Sequence, residues 1–100
     1  MSTTTLTSID ALIEHRPEFR DGRPHIAGTG VSVGRVGILW SEGFSGEDIA
    51  EAMSLSLAQT FGALAFYLQN REAIDADLAA QDDEKDRLAA EHYRQHGRIR

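Results

Sequence analysis

The sequence has no cysteine, only two prolines and a single tryptophan, Trp40, among its 100 residues. Without cysteine the chain forms neither a disulfide nor a thiolate metal site, and this composition suits a reducing cytoplasm. No apolar run approaches the roughly 20 residues that cross a membrane. Residues 1–7 lack the basic region and apolar core of a signal peptide. These absences predict a cytoplasmic protein that does not associate with membranes.

Positive charge is missing from the middle of the chain. Between residues 36 and 70 there is no Lys or Arg, whereas Glu42, Glu47, Asp48 and Glu51 are acidic. The formal net charge is −6, which argues against a protein that coats nucleic acid non-specifically. Seven of the ten Lys and Arg residues collect in two places instead. They are Arg16, Arg20, Arg23 and Arg35 near the start, and Arg94, Arg98 and Arg100 at the end.

The composition, 41% hydrophobic and 26% charged, is that of one globular domain with a modest core. The pattern predicts a mainly α fold, a three-to-four-helix helix-turn-helix body of the homeodomain-like or winged-helix-like kind. A short N-terminal β-hairpin precedes this body and a helical tail follows it. The predicted boundaries are a flexible N-terminus at 1–7, the helix-turn-helix domain at 8–80 and a charged C-terminal helix or tail at 81–100.

A glycine-rich lip, residues 22–33, is the most distinctive stretch of the chain. It contains Gly22, Gly28 and Gly30, which favours tight turns between very short strands. Ser8 is expected to cap a helix at 9–14 that Pro17 ends, and strands are expected at 18–20, 23–27 and 31–33, the first two joined by a hairpin turn. A phosphate-binding loop is disfavoured, because the Walker lysine is missing and the spacing fails.

Helical periodicity follows the lip. One helix runs from Val33 and stops at Gly43, a second covers Gly46–Met53 with Ser45 as its cap, and a third covers 57–70 with an apolar stripe that includes Phe61 and Leu64. Asn70 is predicted to break the helix. A last helix is predicted to begin at the acidic cluster 82–84 and to end at Gly97.

The second and third helices form a helix-turn-helix pattern. One interpretation is a DNA-reading surface, in which Ser56, Gln59 and Thr60 face bases. Arg16, Arg20, Arg23 and Arg35 would then add phosphate contacts. The alternative is a packing corner, since the third helix carries no cation and affinity for DNA depends on Lys and Arg.

No catalytic or metal-binding pattern emerges. His92 and His96 lie one helical turn apart, but no third ligand is fixed beside them. The acidic residues between 75 and 86 are typical of a solvated helix face. The prediction is therefore a protein without enzymatic activity, metal or cofactor, although a metal-dependent enzyme that uses the acidic tail remains an alternative.

Four segments in order resemble the domain-of-unknown-function 433 family. They read G-R-P-H-I-A-G-T with V-S-V in the lip, E-G-F-S-G-E-D-I at 42–49, L-A-F-Y-L-Q-N at 64–70 and E-A-I-D at 72–75. The resemblance covers about residues 9–78. The matching motif residues are Gly22, Arg23, Pro24, Gly28, Thr29, Gly43, Ser45, Tyr67 and Asn70. This chain departs from the family in having Gly30 where arginine is usual, and Phe66 in place of one of two paired tyrosines.

The family resembles VapB-type antitoxins, which are small helix-turn-helix proteins, often dimeric and encoded beside a PIN-like ribonuclease toxin. The resemblance thus implies a homodimer that neutralises such a toxin and binds its own operator DNA. The tail lies outside the motifs, and its Arg94, Arg98 and Arg100 are candidates for entering the toxin's carboxylate cluster. A frayed basic end without a task, a DNA-binding regulator without a toxin and a structural dimeric module are the alternatives.

Overall fold

The computed structural model describes residues 8–18 and 22–96. A 3-10 helix at Ile9–Leu12 leads into strands β1 (Ile13–Glu14) and β2 (His25–Ile26), followed by helices α1 (Val33–Ser41), α2 (Gly46–Met53), α3 (Leu57–Gln69) and α4 (Arg71–His96). The predicted mainly α fold with an N-terminal strand pair and a C-terminal helix is confirmed. The chain divides into two compact units after Asn70, whereas the sequence pattern placed the boundary after residue 80.

The N-terminal segment begins as predicted but changes conformation early. Ser8 accepts a hydrogen bond from the Asp10 N–H at 3.2 Å and so caps the first turn. The helix then ends at Leu12 rather than at residue 14, because Ile13 and Glu14 pair antiparallel with Ile26 and His25. The prediction of a helix over 9–14 is therefore wrong for its last two residues, since pairing with a distant strand overrides the local helical preference.

The lip is folded largely by loop contacts and contains little regular strand. Glu18 lies in a turn, so the strand predicted at 18–20 is wrong at that residue, while residues 19–21 lie outside the described part. The strand predicted at 23–27 is reduced to His25–Ile26. In the strand predicted at 31–33, Ser32 forms only a single bridge to His25, because its hydroxyl accepts the Arg35 N–H and starts α1.

Helix α1 ends next to Gly43, as the sequence predicts. The Gly43 N–H donates to the Trp40 carbonyl at 3.0 Å, and the Phe44 N–H donates to the Leu39 carbonyl at 3.1 Å. Gly43 has a φ of +99°, which few residues other than glycine adopt. This is a Schellman motif, and it turns the chain back so that Phe44 follows Trp40 on the same side of the body.

Helices α2 and α3 form a sharp corner. Their axes are bent by 117° across residues 54–56, within the range of helix-turn-helix units. Ser54 at the turn has a left-handed φ of 57°, and Ser56 opens α3 with a complete capping box to Gln59. Among the described residues no single helix is long and apolar enough to cross a membrane, and α2 with α3 meet that test only as this bent pair.

The core joins the lip to the first three α-helices. Ile26 from β2, Val33 and Val36 from α1, Ile49 from α2 and Leu64 from α3 are all buried. The backbone order of the lip therefore depends on the same apolar burial that holds the helices together.

Tyr67 is the largest fully buried side chain, with 1% of its surface exposed. Gly37 of α1 makes room for it: a Cβ at that position would lie 2.5 Å from Tyr67 Cε1. The Tyr67 hydroxyl is 3.4 Å from Ser41 Oγ, so a polar contact joins α3 to the end of α1 as well. The missing side chain at Gly37 therefore sets how closely α1 and α3 approach.

Helix α4 forms the second unit. It follows the predicted break at Asn70, whose N–H and side-chain amide both donate to the Phe66 carbonyl. The helix then continues through residues 82–84 without interruption, so the prediction of a new helix start at that acidic cluster is wrong. Acidic side chains tolerate an exposed helix interior as well as a first turn, and the cluster alone does not distinguish the two. Gly97, the predicted end, lies outside the described residues.

Candidate functional site

The polar residues predicted to read DNA are occupied in starting α3. Ser56 Oγ accepts the Gln59 N–H at 3.0 Å, and Gln59 Oε1 accepts the Ser56 N–H at 2.8 Å. The Thr60 hydroxyl donates to the Ser56 carbonyl at 3.0 Å, and the residue is fully buried. Thr60 therefore cannot contact DNA, and its prediction as a DNA-reading residue is wrong: it stabilises the start of α3. Ser56 is exposed and Gln59 is half-buried.

The predicted phosphate contacts are spread over different elements. Arg16 lies just after β1 and its Nε is 3.4 Å from Glu14 Oε1. Arg23 is half-buried in the lip, and Arg35 is exposed in the first turn of α1. Arg20 lies outside the described residues. On α2, Glu47, Asp48 and Glu51 are all exposed. The helix-turn-helix corner therefore presents negative charge beside α3.

The lip motif residues act on the backbone. Gly22 and Gly28 both have a φ of +77°, the left-handed conformation that favours glycine. Thr29 Oγ1 donates to the Ile26 carbonyl and accepts the Val31 N–H, and the Pro24 carbonyl accepts the Val33 N–H at 3.0 Å. The spacing of glycine, proline and threonine in this segment is thus explained by the turns that bring β2 to the start of α1.

The later motif residues act in the same way. Gly43 ends α1, Ser45 accepts the Asp48 N–H at 3.0 Å to start α2, and Asn70 ends α3. Tyr67 fills the core. The motif residues whose contacts are given above therefore stabilise the fold. A binding surface would be formed by the side chains around them.

An aromatic groove lies beside the α1–α2 connection. It has a volume of about 580 Å³ and is lined by Trp40, Gly43, Phe44, Ser45, Gly46, Glu47 and Phe61. The three aromatic side chains are 39%, 41% and 46% exposed, in the order Trp40, Phe44 and Phe61. Apolar clusters of this kind on a protein surface mark contact sites more often than isolated apolar residues do.

Local structure holds the groove open. The Schellman motif at Gly43 places Phe44 after Trp40, and the Ser45 cap fixes the start of α2. Gly46 packs against the Phe61 ring so closely that a Cβ there would overlap it. The groove walls therefore come from two helix ends and one helix face, all of which are hydrogen-bonded independently of any ligand.

The aromatic groove is not evident from the sequence, because the predicted apolar stripe of α3 includes both Phe61 and Leu64. The buried face of α3 is instead Thr60, Ala63, Leu64 and Tyr67. Leu57, Phe61 and Leu68 share a different face and are 46–51% exposed. One signal in the sequence could have indicated the groove. Helix α3 carries more apolar residues than the single apolar face of an amphipathic helix requires, so some of them must lie on the surface.

A second, smaller depression of about 290 Å³ lies between the N-terminal segment and α3. Ile9, Ile13, His15 and Phe66 contribute to it, and the His15 and Phe66 rings lie 5.7 Å apart in a tilted arrangement. Next to it, His25 Nε2 is 3.2 Å from Glu14 Oε1 across the β1–β2 pair. These contacts fasten the strand pair and do not assemble a reactive group.

The predicted tail residues are described only in part. Arg94 lies in the last turns of α4, and Arg98 and Arg100 lie outside the described residues. His92 and His96 also lie on α4, and their side chains are not described. Within the described ranges no group of three His, Asp or Glu residues is arranged to hold a metal ion.

Comparison with curated proteins gave no match, and comparison with solved structures gave none. A family model, described as a protein of unknown function (DUF433), matches residues 13–67. The match begins at β1 and ends at Tyr67, so it spans the lip, the α1–α2 connection and the buried face of α3. By this match over more than half of its length, the chain belongs to the DUF433 family.

Proposed function

We propose that this protein is a non-catalytic antitoxin that neutralises a PIN-like ribonuclease toxin by direct binding. The observation that carries the proposal is the character of α4. This helix of 26 residues forms a unit separate from the body, and every residue from 82 to 90 is exposed. A long helix with so little buried surface gains its stability best from a partner.

The composition of α4 suits a partner with mixed charge. Two ion pairs of α4, Arg71–Asp75 at 3.5 Å and Arg87–Glu84 at 3.5 Å, are more than 45% exposed on both sides and contribute only a few tenths of a kcal/mol each. Leu88 is 51% exposed. The free helix therefore retains both charge and apolar surface for a second protein.

The basic end of the chain supplies the inhibitory group in this proposal. PIN-type nucleases hold Mg²⁺ with clustered carboxylates, and a guanidinium from Arg94, Arg98 or Arg100 placed among them would form charge-assisted hydrogen bonds. The metal would then be displaced or its water blocked. No cofactor of the antitoxin itself takes part.

Truncation after Tyr93 tests this mechanism. The shortened chain is expected to keep the circular dichroism and unfolding midpoint of its body and to lose neutralisation of the toxin encoded beside it. A charge-neutral variant with glutamine at residues 94, 98 and 100 is the matched control for length. A truncated chain that still neutralises the toxin would contradict the role of the tail.

A second function, regulation of its own operon through operator DNA, is favoured by the 117° corner of α2 and α3. Electrophoretic shifts on the upstream DNA over a salt series test it, because binding through phosphates weakens steeply with salt. Gly30→Arg sharpens the test: Gly30 is exposed with open space at its Cβ, so the variant adds a cation to the lip without strain. Tighter DNA binding by this variant is expected if the lip faces DNA.

The proposed functional unit is a homodimer. The two-residue strands β1 and β2 form a two-stranded sheet, which is marginal by itself and leaves edge groups that a second copy can use. Light scattering at micromolar concentration is expected to give twice the chain mass, and a monomer there would contradict the dimer.

A further inference from the structure

We propose that the aromatic groove, lined by Trp40, Phe44 and Phe61, is a docking site for a basic segment of a partner protein that inserts an apolar side chain. This inference goes beyond the proposed function, because it assigns a second contact surface to the body. It does not depend on the identity of the partner that binds α4. Its occupant is a polypeptide with an aliphatic or aromatic anchor flanked by Arg or Lys.

The shape and surface of the groove favour an apolar anchor. It is a shallow, open depression of about 580 Å³, and its three aromatic residues are between 39% and 46% exposed. Aromatic side chains contribute much of the free energy of binding at protein interfaces. An inserted apolar side chain would remove part of that apolar surface from water.

The groove is present before any ligand arrives. Backbone hydrogen bonds from Gly43 and Phe44 to α1, and the Ser45 cap of α2, fix two of its sides. Gly46 fixes the distance to the Phe61 ring. Binding to such a surface loses little conformational entropy in this protein, which favours measurable affinity even for a short segment.

Charge decides which polypeptide fits. Glu47 lines the groove, and Glu42 immediately precedes Gly43 in sequence and is exposed. No Lys or Arg occurs anywhere between residues 36 and 70. A nucleic acid or an anionic membrane is repelled by these carboxylates.

A basic flank gains from the rings as well as from the carboxylates. Trp40 and Glu47 both line the groove, so an arginine beside the anchor can contact the indole ring and donate to the Glu47 carboxylate. The same side chain thus satisfies two different groups of the groove, and this combination distinguishes arginine from an apolar residue at the flanking position.

Trp40 makes the test direct, because it is the only tryptophan in the chain and lies in the groove. The probe is a short synthetic peptide with a central Leu-Phe pair flanked by arginines, titrated into the full-length protein. We expect a saturable blue shift of the tryptophan emission. A control peptide with glutamates in place of the arginines is expected to bind about tenfold or more weakly, and added salt is expected to reduce the difference.

Matched variants assign the binding to the groove. Phe44→Ala removes one wall but keeps the backbone hydrogen bond that ends α1, and it is expected to weaken peptide binding about tenfold. Leu68→Ala is the control, since Leu68 is 47% exposed and does not line the groove; it is expected to bind as the parent does. Glu47→Gln is expected to reduce the preference for the basic peptide. Calorimetry provides the affinities if either substitution changes the tryptophan signal itself.

Three results would overturn the proposal. The first is an emission that does not respond to the basic peptide, and the second is an equal response to both peptides. The third is a blue shift with protein concentration alone, accompanied by a dimer in light scattering that Phe44→Ala abolishes, which would assign the groove to a second copy of the chain.

Discussion

The body and the C-terminal helix of this protein are both helical, yet different interactions stabilise them. In the body, short helices are started by serine caps and joined by buried side chains such as Ile49 and Leu64. Left-handed residues, Gly43 and Ser54, end α1 and α2. In α4, residues 82–90 are all exposed, and helix propensity with a few ion pairs is the main support. The comparison teaches that the same secondary structure serves as scaffold in one unit and as available surface in the other.

The largest expected difference comes from one substitution made in each unit. Leu64 is 4% exposed and Leu88 is 51% exposed. Leu64→Ala is expected to lower the free energy of unfolding by about 2–5 kcal/mol, because it leaves a cavity among the three helices. Leu88→Ala is expected to change it by less than about 0.5 kcal/mol. Urea unfolding followed by circular dichroism measures both, and equal effects would contradict the comparison.

The close approach of α1 and α3 predicts the next largest effect. Gly37→Ala places a methyl group 2.5 Å from Tyr67 Cε1, where a buried ring has little freedom to move. A loss of about 1–3 kcal/mol is expected from this overpacking. Gly30→Ala is the control, since nothing lies within 4 Å of its Cβ. Thermal unfolding should separate the two variants, and a Gly37→Ala protein as stable as the control would mean that the helices adjust.

The capping box predicts a smaller effect. Ser56→Ala removes the acceptor for the Gln59 N–H and is expected to lower stability by about 1 kcal/mol. In α4 the matched polar change is Glu84→Gln, which removes an ion pair whose partners are each 64% exposed. That variant is expected to lose only a few tenths of a kcal/mol. Chemical unfolding of the two variants side by side would reveal any reversal of this order.

Substitution of Ser54 is expected to change stability least, and to raise it rather than lower it. Its φ of 57° and ψ of 46° are left-handed, which costs a residue with a Cβ about 1 kcal/mol or more. Ser54→Gly is expected to stabilise the body by about 0.5 kcal/mol, after allowance for the greater freedom of glycine in the unfolded chain. Ala52→Gly, in the same helix, should destabilise by about 1 kcal/mol. Differential scanning calorimetry measures whether each variant is more or less stable than the parent. A destabilised Ser54→Gly protein would contradict the claim that the left-handed conformation of Ser54 is strained.

Much of this contrast could be predicted from local sequence. Ser8 and Ser45 cap the helices that they were predicted to cap, and Gly43 and Asn70 lie at the predicted helix ends. Caps and stops depend on a few neighbouring residues, so they can be identified without knowledge of the rest of the fold. The family motif could be identified for the same reason, since its described residues shape turns and helix ends.

The features that could not be predicted depend on distant contacts. The first strand lies at Ile13–Glu14 because it pairs with His25–Ile26, and nothing within the segment specifies that partner. The exposed position of Phe61 follows from which face of α3 meets α1 and α2, and several apolar residues on α3 could have formed that face. The candidate site was missed for this reason: the aromatic groove exists only once three helices have been packed.

The central claim is that the body is stable by itself and α4 is not. Hydrogen exchange of the free, full-length protein, read residue by residue, tests it most directly. Amides at 60–67, in the middle of α3, are expected to be protected to nearly the global free energy of unfolding, while amides at 82–90 are expected to exchange orders of magnitude faster. Equal protection of the two stretches in the free protein would contradict the account, because α4 would then need no partner.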